Sequence, residues 1–285
     1  MQKLIRFDWA IKTVLRKKDN FDILEAFISD LINKEVKILE LLESESNQDT
    51  STDKFNRVDI LVKDVDNNRY IIEVQNSEEK DYLQRMLYGT SKNIVENISI
   101  GKSYDNILKV ISINIVYFEL GTGIDTVYHG EMQFIGLNTK TLLNDGKQLC
   151  ISTFNSPDEY DVKIFPEYYI ILPNRFSGTT KTKFDEWLYL LKNSQVSSNS
   201  TSDIMNKIEV QLDILNMQEA ERKSYERFIE SQVIYNSHIK SAEKNGESRK
   251  TLEIATALLD VLDDETIAIK TGLSIEKVAG LRQQV

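Results

Sequence analysis

The chain has 285 residues, of which 41% are hydrophobic and 28% are charged. A chain of this length forms one large domain or two smaller ones, and its apolar content is enough for a buried core, which excludes a wholly disordered protein. Acidic residues exceed basic ones by 45 − 35 = 10, which argues against a protein that coats duplex nucleic acid, because such proteins neutralise phosphates with a basic excess.

The N-terminal part alternates helical and strand patterns. Apolar residues at helical spacing predict helices over residues 3–18 and 21–33. Residues 35–43 favour a strand, although a helix fits nearly as well, and the polar residues 44–53 predict a loop.

Two strands with a tight turn come next. Residues 57–63 (RVDILVK) and 69–75 (RYIIEVQ) have strand patterns, and the Asp- and Asn-rich residues 64–68 between them tolerate tight turns. The segment therefore predicts a β-hairpin.

The remainder of the core adds strands and helices. Residues 79–98 predict a helix interrupted near Gly89, and residues 110–118 (VISINIVYF) are typical of a central strand buried on both faces. A strand is predicted within the apolar run 165–172, and an amphipathic helix over residues 181–193. No run of about 18 apolar residues occurs, so no membrane-spanning helix is predicted.

A polar break at residues 194–202 separates this core from a helical C-terminal region. Helical patterns cover residues 203–243, and Gly246 and Gly272 are expected to interrupt the helices that follow. The sequence therefore predicts an α/β domain over residues 1–193 and a helical tail over residues 203–285.

The hairpin carries the residues of greatest chemical interest. Glu73 and Gln75 are two apart, so they project from one face of their strand. The face of Asp59 depends on the register. If Asp59 pairs with Glu73 or with Gln75, all three side chains share a face. A register shifted by one residue would put Asp59 on the other face.

Two neighbouring carboxylates repel each other unless a cation lies between them. Oxygen ligands without nearby histidine or cysteine favour Mg²⁺ or Mn²⁺, and such an ion can polarise a phosphodiester. The alternative is that Asp59 and Glu73 are ordinary solvent-facing residues of a half-exposed hairpin. The pattern Asp…Glu-x-Gln is short and common, so by itself it favours the alternative.

The run RVDILVKDVDNNRYIIEVQN resembles the hairpin of the PD-(D/E)XK nuclease superfamily. More narrowly, it is similar to the Rpn-type family of recombination-promoting nucleases or transposases, whose motif reads D…E-x-Q. Further segments resemble the same family in the same order, and they cover most of the chain: FDWAIKTVL, DYLQRMLYGTSK, GKSYDNILKVISINIVYFELG, VYHGEMQF, FPEYYIILPNRF and FDEWLYLLKN. The resemblance implies a restriction-endonuclease-like α/β fold, with a mixed sheet flanked by helices.

The resemblance also implies roles for individual residues. Asp59 and Glu73 would be metal ligands, the backbone carbonyl of Val74 would complete the metal site, and Gln75 would stand in place of the catalytic lysine. Glutamine cannot supply a positive charge, so the metal would carry more of the electrostatic stabilisation. The proline that leads the superfamily motif is absent, because Val58 precedes Asp59.

Three residues of the helix after the hairpin, and one of the first helix, are weaker candidates. Arg85 is a candidate for contacting a substrate phosphate, Gln84 for assisting a water molecule, and Tyr82 lies one turn before Arg85. Asp8 is a candidate for a position near the metal. The plainer alternatives are a helix surface, a core tyrosine, and an ion pair between Asp8 and Lys12 one helical turn apart.

Other polar residues give less specific signals. His129 and His238 lie far apart, so a zinc site of clustered histidine and cysteine is not expected, and His129 is interpreted as structural or exposed. The single cysteine, Cys150, cannot form an internal disulfide, which favours the reducing cytoplasm.

The end of the chain resembles a helix-turn-helix in outline. Within residues 265–281, Gly272 marks a turn and Ser274 caps a second helix. Because this region carries little positive charge, helix packing or a partner contact is favoured over DNA binding.

The leading functional hypothesis is a DNA endonuclease that depends on Mg²⁺ or Mn²⁺ and is linked to recombination or mobile elements. Its partner would be DNA, and two-strand cutting would favour a homodimer. The second hypothesis is a catalytically weak or inactive protein that keeps the nuclease fold as a binding or regulatory module, which the acidic charge and the missing lysine favour. Strand transfer ranks last, because no separate triad of acidic residues supports it.

Overall fold

The computed structural model describes residues 6, 9–10, 15–42, 59–96, 107–140, 165–213 and 217–283. The chain divides into two compact units, residues 1–217 and 218–285. The domain division predicted from the sequence, between residues 193 and 203, stays a prediction.

The first unit contains a mixed six-stranded sheet. Its strands are β1 (Ile38–Leu42), β2 (Ile60–Asp64), β3 (Arg69–Gln75), β4 (Val110–Val116), β5 (Val127–Gly130) and β6 (Glu167–Ile171), in the spatial order β1-β2-β3-β4-β6-β5. The first three strands are antiparallel, β4 is parallel to β3 and to β6, and β5 is antiparallel to β6. All seven residues of β4 are buried, so the predicted central strand is confirmed. The strand predicted within residues 35–43 is confirmed as well.

Helices accompany the sheet in this unit. They are α1 (Phe21–Ile32), α2 (Tyr82–Val95), α3 (Lys183–Asn193) and α4 (Asp203–Gln211). In α1, Phe27 packs edge-on against Trp187 of α3 at a centroid distance of 5.3 Å, and Trp187 donates a hydrogen bond to Asp30. In α2, Ile94 packs against Leu61, Ile71 and Val110 of the sheet.

Helix α2 runs without a break through Gly89, which is buried, so the predicted interruption is wrong. A glycine inside a helix costs about 1 kcal/mol relative to alanine. Packing of α2 against the sheet outweighs a cost of that size, because one buried aliphatic side chain contributes roughly 1.5–3 kcal/mol.

The second unit contains α5 (Glu219–Leu258), α6 (Asp264–Thr271) and α7 (Ile275–Arg282). Ala255, Leu259, Ile267 and Val278 form its buried core. Helix α6 ends at Gly272, whose φ is 76°, and the Ser274 hydroxyl caps α7, as predicted. Helix α5 passes through Gly246, so the predicted interruption there is wrong. Among the described residues, no atom lies within 4 Å of the position that a β-carbon would take at this glycine.

Some predictions fall on residues that the structure does not describe. The loop predicted over residues 44–53 and most of the helix predicted over residues 3–18, including Asp8, lie outside the described residues. At the described end of that helix, residues 15–17 form a turn and a bend, so the helix does not extend to residue 18. Among the described helices, none combines the length and the apolar character needed to cross a membrane.

Candidate active site

The register of the β2–β3 hairpin decides where Asp59 lies. Ile60 pairs with Ile72 and Lys63 with Arg69, and the Asp64 N–H donates to the Asn68 carbonyl at 3.0 Å. Extended by one residue, this register places Asp59 opposite Glu73. Asp59, Glu73 and Gln75 therefore belong to the same face of the hairpin, and residues 65–67 form its three-residue loop.

A buried carboxylate fixes this turn. Asp64, which is 3% exposed, accepts hydrogen bonds from the Asn68 backbone N–H and side-chain amide, each at 2.8 Å, and from the Tyr70 hydroxyl at 3.1 Å. Burial and the neighbouring Asp64 carboxylate raise the pKa of Tyr70, so its hydroxyl keeps the proton that it donates. Asn67 takes the left-handed conformation, with φ 67°, that the turn requires.

The Asp59 carboxylate lies at the β2 edge of β3. Its Oδ2 accepts a hydrogen bond from the Val74 N–H at 2.8 Å. The backbone of the neighbouring residue, Gln75, is directed to the opposite edge of β3, because its carbonyl accepts a hydrogen bond from the Tyr117 N–H at 2.9 Å. Since the N–H and C=O of one strand residue point to the same edge, the Val74 carbonyl is directed to the edge where Asp59 lies.

The Glu73 carboxylate is almost buried, with 9% of its side chain exposed, and lies 3.4 Å from the Arg85 guanidinium of α2. A second carboxylate, Glu79, joins this pair to Gln75. Glu79 Oε1 accepts from Arg85 Nη1 at 2.7 Å and from Gln75 Nε2 at 2.6 Å. The Gln75 amide also donates to the Ser77 carbonyl at 3.2 Å.

Glu79 was missed by sequence reasoning. It lies between β3 and α2, outside the hairpin motif, and an acidic residue shortly before a helix is ordinary because it favours the helix dipole. Its position in the sequence carries no separate signal for a role beside Gln75.

Tyr82 is a buried residue behind the carboxylates. Its hydroxyl donates to Asn114 Oδ1 at 3.0 Å, and Asn114 lies beside Glu73 on the neighbouring strand β4. Burial raises the pKa of Tyr82, and the charges of Glu73, Glu79 and Asp59 raise it further. Tyr82 therefore stays a neutral donor.

Arg85 lies between two carboxylates. Burial of its guanidinium lowers the pKa, but Glu73 and Glu79 raise it by more, and the pKa of Arg85 lies above its ordinary value. Glu73 and Glu79 both contact this guanidinium, and Asp59 belongs to the position opposite Glu73 in the hairpin. The donor set of two carboxylates and a backbone carbonyl consists of hard oxygens, which fits Mg²⁺ or Mn²⁺ in charge and in chemistry.

The structure thus brings Asp59, Glu73, Val74, Gln75 and Arg85 together at one end of β3, with Tyr82 behind them. Gln84 lies exposed on α2, and its role in assisting a water molecule stays a prediction.

The sequence was compared with models of protein families, with curated proteins and with solved structures. A family model described as PD-(D/E)XK nuclease family transposase matches residues 5–242, a range that includes the whole sheet. No curated protein and no solved structure matches the sequence significantly. The resemblance inferred from the hairpin and its flanking segments is confirmed, and so is the α/β nuclease-like fold.

Proposed function

Because the chain belongs to the PD-(D/E)XK nuclease family of transposases, we propose that it is a DNA endonuclease that depends on Mg²⁺ or Mn²⁺. Asp59, Glu73 and the Val74 carbonyl would hold the ion. One observation carries the proposal: the hairpin register sets Asp59 opposite Glu73, and the Asp59 carboxylate bonds to the backbone of Val74. The bound ion would polarise the phosphodiester and stabilise the negative charge that develops during hydrolysis.

Gln75 is proposed to orient the attacking water or a phosphate oxygen. Its Nε2 is held by the Glu79 carboxylate and the Ser77 carbonyl, which fixes the plane of the amide and the direction of its Oε1. A carbonyl oxygen held in this way accepts a hydrogen bond from water and thereby orients its lone pair towards phosphorus. Gln75 contributes no positive charge, unlike the lysine it replaces.

Arg85 is proposed to bind a substrate phosphate. A guanidinium has five N–H donors in a rigid fork, and Arg85 directs Nη1 to Glu79 and Nη2 to Glu73. The two carboxylates orient the fork, and its side chain is about a third exposed (35%). Arg85 and the metal would together attract phosphate to a chain whose net charge is −10.

The wider setting follows from the same proposal. The substrate is DNA, the activity is linked to recombination or mobile elements, as the family name suggests, and a homodimer would cut both strands. The cytoplasm is the proposed compartment, since a single cysteine fits a reducing environment.

Plasmid nicking tests the proposal. The purified chain should nick supercoiled DNA with Mg²⁺ or Mn²⁺ and not with a chelator. Asp59→Asn and Glu73→Gln should each lower the rate by about 100-fold or more, as for loss of one group that stabilises the transition state. Asp66→Asn is the matched control, because Asp66 lies in the exposed turn of the same hairpin, where it pairs with the exposed Lys34 at 3.5 Å.

Circular dichroism must show that the variants stay folded. If both site variants cleave like the wild type, the assignment of the metal site is wrong. If the wild type binds DNA but cleaves it with none of these ions, the chain is instead a nuclease-fold binding module. Higher activity in Gln75→Lys would support the proposal that Gln75 occupies the position of the catalytic lysine.

A further inference from the structure

A second group of metal-ligating side chains lies at the β5–β6 edge of the sheet. His129 is in β5, Glu131 follows that strand directly, and Glu167 is the first residue of β6. One ligand atom from each of the three lies within 4.8 Å of the others. The group combines an imidazole with two carboxylates, whereas the candidate active site has oxygen ligands alone.

This group and the candidate active site are on opposite faces of the sheet. Asn114, beside Glu73, pairs with Ile170 of β6, and Ile170 packs against Tyr82 and Val116 on the face that α2 covers. Side chains alternate along a strand, so the next residue, Tyr169, projects to the other face. The His129 ring stacks on Tyr169 there.

The ligand atoms are held in place by neighbours. The rings of His129 and Tyr169 are 4.4 Å apart and inclined by 17°. Lys109 Nζ contacts Glu167 Oε1 at 2.5 Å, and the other oxygen, Oε2, faces His129 Nε2 at 3.1 Å. An ordered partner for the outer oxygen of a ligating carboxylate is a common feature of protein metal sites.

The spacing matches a tetrahedral ion. Zinc bonds of about 2.0–2.2 Å to nitrogen and oxygen place neighbouring ligand atoms about 3.3 Å apart. His129 Nε2 and Glu167 Oε2 form a hydrogen bond of 3.1 Å; an ion would replace the shared proton, and the two atoms would move apart by a few tenths of an ångström. Glu131 is exposed, its Oε1 accepts a hydrogen bond from Gln133 Nε2 at 2.7 Å, and the carboxylate would supply the third ligand.

The local charge also favours a cation. Two carboxylates stand against Lys109, which leaves −1 when the imidazole is neutral. Mixed imidazole and carboxylate ligands suit Zn²⁺, whereas Mg²⁺ takes oxygen ligands. We propose that His129, Glu131 and Glu167 form a Zn²⁺ site separate from the proposed nuclease centre.

The chain has two histidines, which makes a direct test possible. The full chain, labelled with ¹⁵N at histidine, is titrated with Zn²⁺ in excess Mg²⁺, so that Mg²⁺ occupies the oxygen site. One equivalent of Zn²⁺ should shift the imidazole signals of His129 and leave those of His238, which is exposed in α5, in place. Equal shifts of both signals, or no shift of His129, would overturn the proposal.

Calorimetry with variants provides the second test. His129→Ala should abolish Zn²⁺ binding, and Glu131→Gln, which leaves the ring stack intact, should weaken it about tenfold or more. His238→Ala and Cys150→Ser are the matched controls and should bind like the wild type, as should Asp59→Asn. Wild-type affinity in both His129→Ala and Glu131→Gln, or lost affinity in Cys150→Ser, would show that the zinc ligands lie elsewhere.

Discussion

Arg85 is the counter-charge of the candidate active site, and its replacement should change stability and metal affinity in opposite directions. Arg85→Gln leaves the Glu73 carboxylate, 9% exposed, without the cation that lies 3.4 Å away. Two unit charges at this distance interact by about 5 kcal/mol at an effective dielectric constant of 20. Because Arg85 is 35% exposed, solvent screens the pair, and we expect the metal-free variant to lose about 1–3 kcal/mol of unfolding free energy.

Metal affinity should rise in the same variant. Removing a positive charge beside the ligands removes its repulsion of a divalent ion, and we expect Mn²⁺ to bind about tenfold more tightly, equivalent to roughly 1.4 kcal/mol. DNA cleavage should nevertheless fall, because the proposed phosphate contact is lost. High stability of the metal-free protein and high metal affinity therefore cannot both be obtained at this position.

Urea unfolding with and without Mn²⁺, together with calorimetric Mn²⁺ titration, measures both effects. Arg222→Gln is the matched control: Arg222 lies 3.8 Å from Glu226 in an exposed pair on α5, and its loss should cost less than about 0.5 kcal/mol. Unchanged or weaker Mn²⁺ binding by Arg85→Gln would refute the idea that the guanidinium and the ion share Glu73.

Three further predictions concern other polar groups. Glu79→Ala should slow single-turnover cleavage about tenfold, because Gln75 and Arg85 lose their common acceptor; an unchanged rate would contradict its role. Tyr82→Phe should lower the free energy of unfolding by about 1–2 kcal/mol in urea titration, because the buried Asn114 side chain loses its hydrogen-bond donor. An unchanged free energy of unfolding would contradict this role of the Tyr82 hydroxyl. Hydrogen bonds from Thr266 lower the pKa of Asp263 at the start of α6, so this cap stabilises the helix above the unfolded pKa of Asp263. The stabilisation is lost as pH falls through the lower pKa of Asp263 in the folded protein, and amide exchange at Thr266 should then accelerate. If amide exchange accelerates equally in Asp263→Ala, Asp263 is not the group responsible.

Strand patterns in the sequence were sufficient to predict most of the sheet. The apolar run of β4 and the alternation in β3 are local properties, and both strands formed where predicted. The alternation also fixed which face Glu73 and Gln75 share. It could not choose between the two registers that bring Asp59 to that face, because the choice depends on hydrogen bonds of the buried Asp64 carboxylate with the turn and with Tyr70.

Contacts between distant segments were not predictable in this way. Gly89 and Gly246 were expected to break helices, yet both lie inside them, since a single glycine costs less than packing or helix continuity provides. The cluster of His129 and Glu167 was missed because the two residues are 38 positions apart. The pairing of β5 with β6 brings them together, and no pattern within either strand predicts that pairing.

The acidic composition and the proposed substrate are reconciled by the arrangement at β3. Asp59, Glu73 and Glu79 bring three carboxylates to this end of β3, and they would repel a phosphodiester that approached without a divalent ion. A divalent ion held by Asp59 and Glu73 would offset two negative charges, and the guanidinium would then present its remaining N–H donors to phosphate against a weaker repulsive field. In the proposed mechanism, metal binding and DNA binding would therefore be coupled through the same four side chains. An enzyme that attracts one phosphate at a time would not need the basic excess of a protein that coats DNA.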